Sequence, residues 1–142
     1  MRILLAAVVY FVAVMAAGVG CGVVRTLLIA PWTGPFAAVA AEAPFMILAM
    51  VVAARWVCRR FGLETRPMRI AAGLFAFLLT MVAESSGAIW LRGQTLDAYL
   101  SGLTTLEGLL SLALFILFGA MPALQGASGG FGALLTKRGG SS

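Results

Sequence analysis

Four long apolar stretches separated by short polar breaks dominate the chain: Ile3 to Val24 and beyond, Phe36 to Val57, Ile70 to Leu91, and Leu106 to Leu124. Each approaches the ~20 residues that a helix needs to cross a ~30 Å hydrocarbon core. The pattern predicts membrane-spanning helices at about 3–30, 36–57, 70–91 and 105–121. The expected fold is all-α, an antiparallel four-transmembrane-helix bundle in residues 1–124. A Gly/Ser-rich cytoplasmic tail follows over residues 125–142.

Composition agrees with that pattern. Of the 142 residues, 62% are hydrophobic and only 11% charged, with a mean hydropathy of +1.05. Soluble domains carry about 25% charged residues. Net charge is +5, but the positions matter more than the sum. Arg55, Arg59, Arg60, Arg66 and Arg69 crowd one break, while Arg2 and Lys137–Arg138 lie near the ends. Positive residues in short loops mark the cytoplasmic side, so both termini are expected inside, in a bacterial cytoplasmic (inner) membrane. A basic loop facing anionic lipid accounts for the charge better than nucleic acid does. The expected partners are the lipid bilayer and either further copies of the chain or a larger membrane complex.

The breaks and small residues give finer expectations. Pro31–Pro35 reads as a tight turn between antiparallel helices. Trp32 and Trp90 mark one interface and Trp56 the other, as aromatic belts do. Gly18 and Gly22, four apart, offer a surface for close helix packing. Thr95, Asp97 and Tyr99 lie in a segment expected to form a short interfacial helix. Thr104 and Glu107 have the spacing of a capping box, which makes Glu107 structural. Cys21 and Cys58 fall at opposite levels and read as small apolar residues rather than as a bridge.

Charges inside the apolar stretches carry the functional expectation. Arg25 precedes Pro31 by six residues, Glu42 follows Pro35 by seven, and Glu84 precedes Arg92 by eight. At 1.5 Å per residue, each lies roughly 10 Å inside the same edge. One guanidinium can fork between two carboxylates, so Arg25, Glu42 and Glu84 form a candidate intramembrane cluster. Arg92, Ser85 and Ser86 are placed to support it, and Pro44 loosens the helix beside Glu42. Such residues in hydrocarbon are costly and usually face a partner or a water-filled path. Two readings follow: an ion- or proton-handling transport or channel component acting as an oligomer or with partners, or a non-catalytic accessory or assembly subunit clamped by the same residues. A site for a polar headgroup or quinone-like ring is a third use of such a cluster.

Catalysis has little to work with. The chain has no histidine, and neither metal-ligand spacing nor an activated serine is visible, so no enzyme, cofactor or metal is expected. The runs Gly22-Val23-Val24-Arg25, Ala30-Pro31, Gly34 and Ala41-Glu42-Ala43-Pro44, with Ala54-Arg55-Trp56 and Ala83-Glu84, resemble a group of small bacterial inner-membrane proteins with four predicted helices. No activity attaches to that group, so the resemblance implies location and helix number alone. The motifs differ from those of small multidrug exporters, fluoride channels and membrane glutathione-transferase relatives.

Overall fold

The computed structural model describes residues 1–125; the glycine- and serine-rich tail beyond lies outside the described residues. Among the described residues, four helices are long and apolar enough to cross a membrane, the mark of a multi-pass membrane protein: Arg2–Ile29, Phe36–Arg60, Arg66–Trp90 and Leu106–Leu124. The chain runs through α1 (Arg2–Val24), a π-helical turn (Arg25–Ile29), α2 (Ala30–Thr33), α3 (Pro35–Arg60), α4 (Arg66–Trp90), α5 (Leu96–Gly102) and α6 (Leu106–Leu124).

Proline placement explains where these elements depart from the expected bounds. Helical structure does not stop before Pro31 but continues to Thr33. Pro31 lacks the N–H that would reach the Leu27 carbonyl, and a widened turn just ahead of it absorbs the misfit. The expected turn over residues 31–35 therefore shrinks to Gly34, whose φ of 81° suits glycine. Pro67 falls in the first turn of α4, where a missing N–H costs nothing, so that helix begins before Ile70. Pro44 and Pro122 lie inside α3 and α6 without ending them.

Around the bundle, α1 packs against α3 and α4, and α6 packs against the same two. α3 and α4 are thus diagonal, although only Phe61–Thr65 connect them. Cys58 Sγ lies 3.9 Å from the Pro122 carbonyl oxygen, which sets the late turns of α3 and α6 side by side. Those two helices run in the same direction, as do α1 and α4. Direction alternates along the chain as expected, but two of the neighbouring pairs are parallel rather than antiparallel.

Packing is inverted relative to a soluble bundle. Small residues such as Ala6, Ala54, Ala72 and Ala76 are buried, while Leu27, Phe45, Leu48, Val82 and Ile116 face outward. That arrangement is stable when the surroundings are as apolar as the perimeter. Trp32 and Trp90 are exposed at one end and Trp56 toward the other. Close helix approach falls elsewhere than at the expected pair: a Cβ on Gly73 would fall on the Gly119 carbonyl oxygen, whereas Gly22 has open space and Gly18 meets only the end of the Met46 side chain.

The core is lopsided. Its buried cluster draws on the early turns of α1 and α4 and the late turns of α3 and α6, including Tyr10, Val57, Leu63 and Met121. All of these lie toward the basic end. The opposite half of the bundle holds a cavity.

Candidate functional site

The cavity has a volume of about 430 Å³ and is lined by all four long helices together with α5. Glu42, Glu84 and Glu107 line it, as do Arg25 and Arg92. Its floor is Phe11, Met50 and Phe118; Arg92, Gln94 and Tyr99 lie toward its mouth. Each helix contributes for an identifiable reason. Arg25 begins the π-helical turn, and Glu42 lies two turns into α3 from Gly34. Gly93, at φ 61°, turns the chain from α4 into α5. Gly108 then sits so close to the Gly102 carbonyl that a Cβ there has no room, which seats α5 against the start of α6.

Arg25 Nη1 donates to Glu42 Oε2 at 2.9 Å, and the side chains are 36% and 11% exposed. This is the only ion pair among the described residues. The expected fork to Glu84 is not made. Glu84 shares the cavity but forms no ion pair with Arg25; its charge is felt by the Tyr99 hydroxyl. Burial pushes the Tyr99 hydroxyl above its ordinary value, the Glu84 charge adds to that, and Arg92 opposes it. The three expected members thus share one cavity, divided into a closed pair and a separate carboxylate.

The supporting residues divide similarly. Arg92 lines the cavity as expected. The Ser85 hydroxyl donates to the Met81 carbonyl of its own helix at 2.7 Å, and Ser86 is exposed; neither lines the cavity. Pro44 is exposed on α3, outside the cavity.

Glu107 is the residue that sequence reasoning placed elsewhere. The cap of α6 is Thr105, whose hydroxyl accepts from Gly108 N at 3.1 Å, while Thr104 donates to the Ser101 carbonyl at 2.7 Å. A one-residue shift removes Glu107 from capping-box geometry, and its side chain lines the cavity instead. Three carboxyl groups against two guanidinium groups leave one carboxyl without a cationic counterpart in the cavity.

Below the floor the bundle is packed. Tyr10 and Phe118 stack with centroids 4.5 Å apart and planes 7° from parallel, a contact worth about 0.5–1.5 kcal/mol beyond its burial. At the basic end, Arg55, Arg59 and Arg69 line a second cavity of about 440 Å³ with Glu64. Arg69 Nε also donates to the Leu63 carbonyl at 2.6 Å, tying the loop to α4. Arg60 and Arg66 are exposed outside that cavity. Cys21 and Cys58 are both free.

No known protein family, curated protein or solved structure matches the chain. The reading of the site therefore rests on its own geometry.

Proposed function

We propose that the protein is a small integral membrane component that handles protons or cations, taking them up in the vestibule lined by Glu84 and Glu107. The observation that carries this reading is the surplus carboxylate in a cavity whose other glutamate is already paired with Arg25. Ionisable groups kept in an apolar bundle are costly unless paired or used. With the arginine-rich loop on the cytoplasmic side of a bacterial inner membrane, the vestibule opens outward and the packed half faces in. Passage then requires either a rearrangement of the Tyr10–Phe118 floor or a path completed by further copies of the chain. Reconstituted vesicles test the reading directly. Wild-type protein is expected to admit protons or monovalent cations, and Glu84→Gln or Glu107→Gln to remove most of that flux. Wild-type vesicles as silent as empty ones would discard it.

One observation favours a second reading, a non-catalytic accessory or assembly subunit. The Arg25–Glu42 pair links the ends of the first two spans, and a mispaired helix would leave a charge in lipid. A fixed helix order is what a docking subunit needs. Silent vesicles together with co-purification of a stoichiometric membrane partner would establish it.

A further inference from the structure

The lining of the vestibule narrows the chemistry of its occupant, an inference that rests on the cation-handling reading above. A volume of about 430 Å³ falls within the ~300–1,000 Å³ range of sites for small organic ligands. That is far more space than a bare metal ion needs. A hard cation is held by several oxygens converging at contact distance, and among the described residues no three Asp, Glu, Cys or His side chains converge in that way. Glu42 is occupied by Arg25, which leaves Glu84 and Glu107 as carboxylates on different helices.

The wall between those carboxylates and the floor is mostly apolar and carries aromatic rings, with Thr80 and Ser111 as its polar members. Phe11 and Phe115 come from α1 and α6, Phe118 forms the base, and Tyr99 stands near the mouth. Aromatic faces attract weakly hydrated cations, quaternary ammonium groups above all. Unbranched thioethers adapt to irregular shapes, and Met15, Met46 and Met50 lie in the same wall. A surplus carboxyl group above an aromatic and thioether pocket matches a ligand with one diffuse positive charge and an apolar body.

We propose that the vestibule binds a monovalent organic cation, an aromatic or branched quaternary ammonium compound, with its charge between Glu84 and Glu107 and its body against Phe11 and Phe115. The second cavity, with its three arginines, is chemically unsuited to the same ligand and acts as an internal contrast.

The test is calorimetric titration of the protein in phosphatidylglycerol nanodiscs, with empty discs as reference. The probes are benzyltrimethylammonium and neopentylbenzene, which replaces the charged nitrogen by carbon. Wild-type protein is expected to bind the cation about tenfold or more tightly than the neutral isostere. Glu84→Gln and Glu107→Gln should each bring the cation's affinity close to that of the isostere. Phe115→Leu should weaken the cation a few-fold while leaving the isostere unchanged. Equal binding of the two probes by wild-type protein would overturn the assignment. If such protein still passes protons or sodium in a Glu84-dependent manner, ion handling stands and only the organic cation falls. If it passes neither, both fall.

Discussion

The Tyr10 hydroxyl donates to the main-chain carbonyl of Phe118 at 3.0 Å, across a sequence separation of 108 residues. The bond replaces one that the backbone cannot make. In an α-helix the Phe118 carbonyl would accept from residue 122, which is proline and has no N–H. A buried carbonyl left unpaired costs about 1–3 kcal/mol, so α1 supplies the donor that α6 lacks.

Tyr10→Phe should therefore destabilise the protein by about 1–3 kcal/mol, read as a lower unfolding midpoint in mild detergent. Pro122→Ala in the same chain should recover much of the loss, because alanine restores the N–H to the Phe118 carbonyl. Additive or worse behaviour of the double variant would show that Tyr10 acts by ring packing alone.

Gly73 and Gly119 set the distance between α4 and α6. Gly73→Ala is expected to cost about 1–3 kcal/mol by forcing the backbones apart. Gly22→Ala, which meets open space, should be neutral or slightly stabilising, since alanine favours helix more than glycine does. Denaturant titration of both variants ranks the two glycines, and the reverse order would return the packing role to the first helix.

The Arg25–Glu42 pair is 36% exposed on the arginine side, so its worth is modest. Polar contacts within membrane bundles average about 0.6 kcal/mol. Glu42→Gln should accordingly lower stability by less than about 1 kcal/mol, keeping a hydrogen bond to Arg25. Glu84→Gln should leave that pair untouched. A large loss from Glu84→Gln would mean that Glu84 joins Arg25 after all.

Tyr99 reports the charge of the vestibule. Its hydroxyl titrates above the ordinary value because of burial first and Glu84 second, with Arg92 working against both. A raised folded-state value means that the stability tied to this proton is complete below the unfolded-state value and is lost as pH climbs through the folded one. Tyrosinate absorbance, taken as the difference from Tyr99→Phe, should move to lower pH in Glu84→Gln and to higher pH in Arg92→Gln. Shifts in the same direction for both would contradict the arrangement.

Much of the helical architecture was legible because hydrocarbon thickness demands long apolar runs, and four such runs stand clear of their breaks. Arg25 and Glu42 were legible together because a short turn brings their helices back at equal depth. Depth alone, however, says nothing of azimuth. The π-helical turn at Arg25 adds a residue to one turn and re-aims everything after it, and the diagonal placement of α3 and α4 decides which wall Glu84 occupies. Glu107 was misplaced for a smaller reason: two adjacent threonines, Thr104 and Thr105, compete for one cap, and the second takes it. The service that Tyr10 performs for Pro122 has no local signature at all.

The diagonal passage of Phe61–Thr65 has a consequence for how the chain can be divided. It separates two self-contained there-and-back units, α1 with α3 and α4 with α6, which meet along two parallel seams, α1 on α4 and α3 on α6. Beyond the tether, the loop adds the buried Leu63 and the bond from Arg69 to its carbonyl, and a cut made ahead of Leu63 spares both. Severed within those five residues, the two hairpins retain every seam and are expected to find each other in one bilayer, co-purifying when made as separate polypeptides. The protein is, in that sense, a covalent dimer of hairpins.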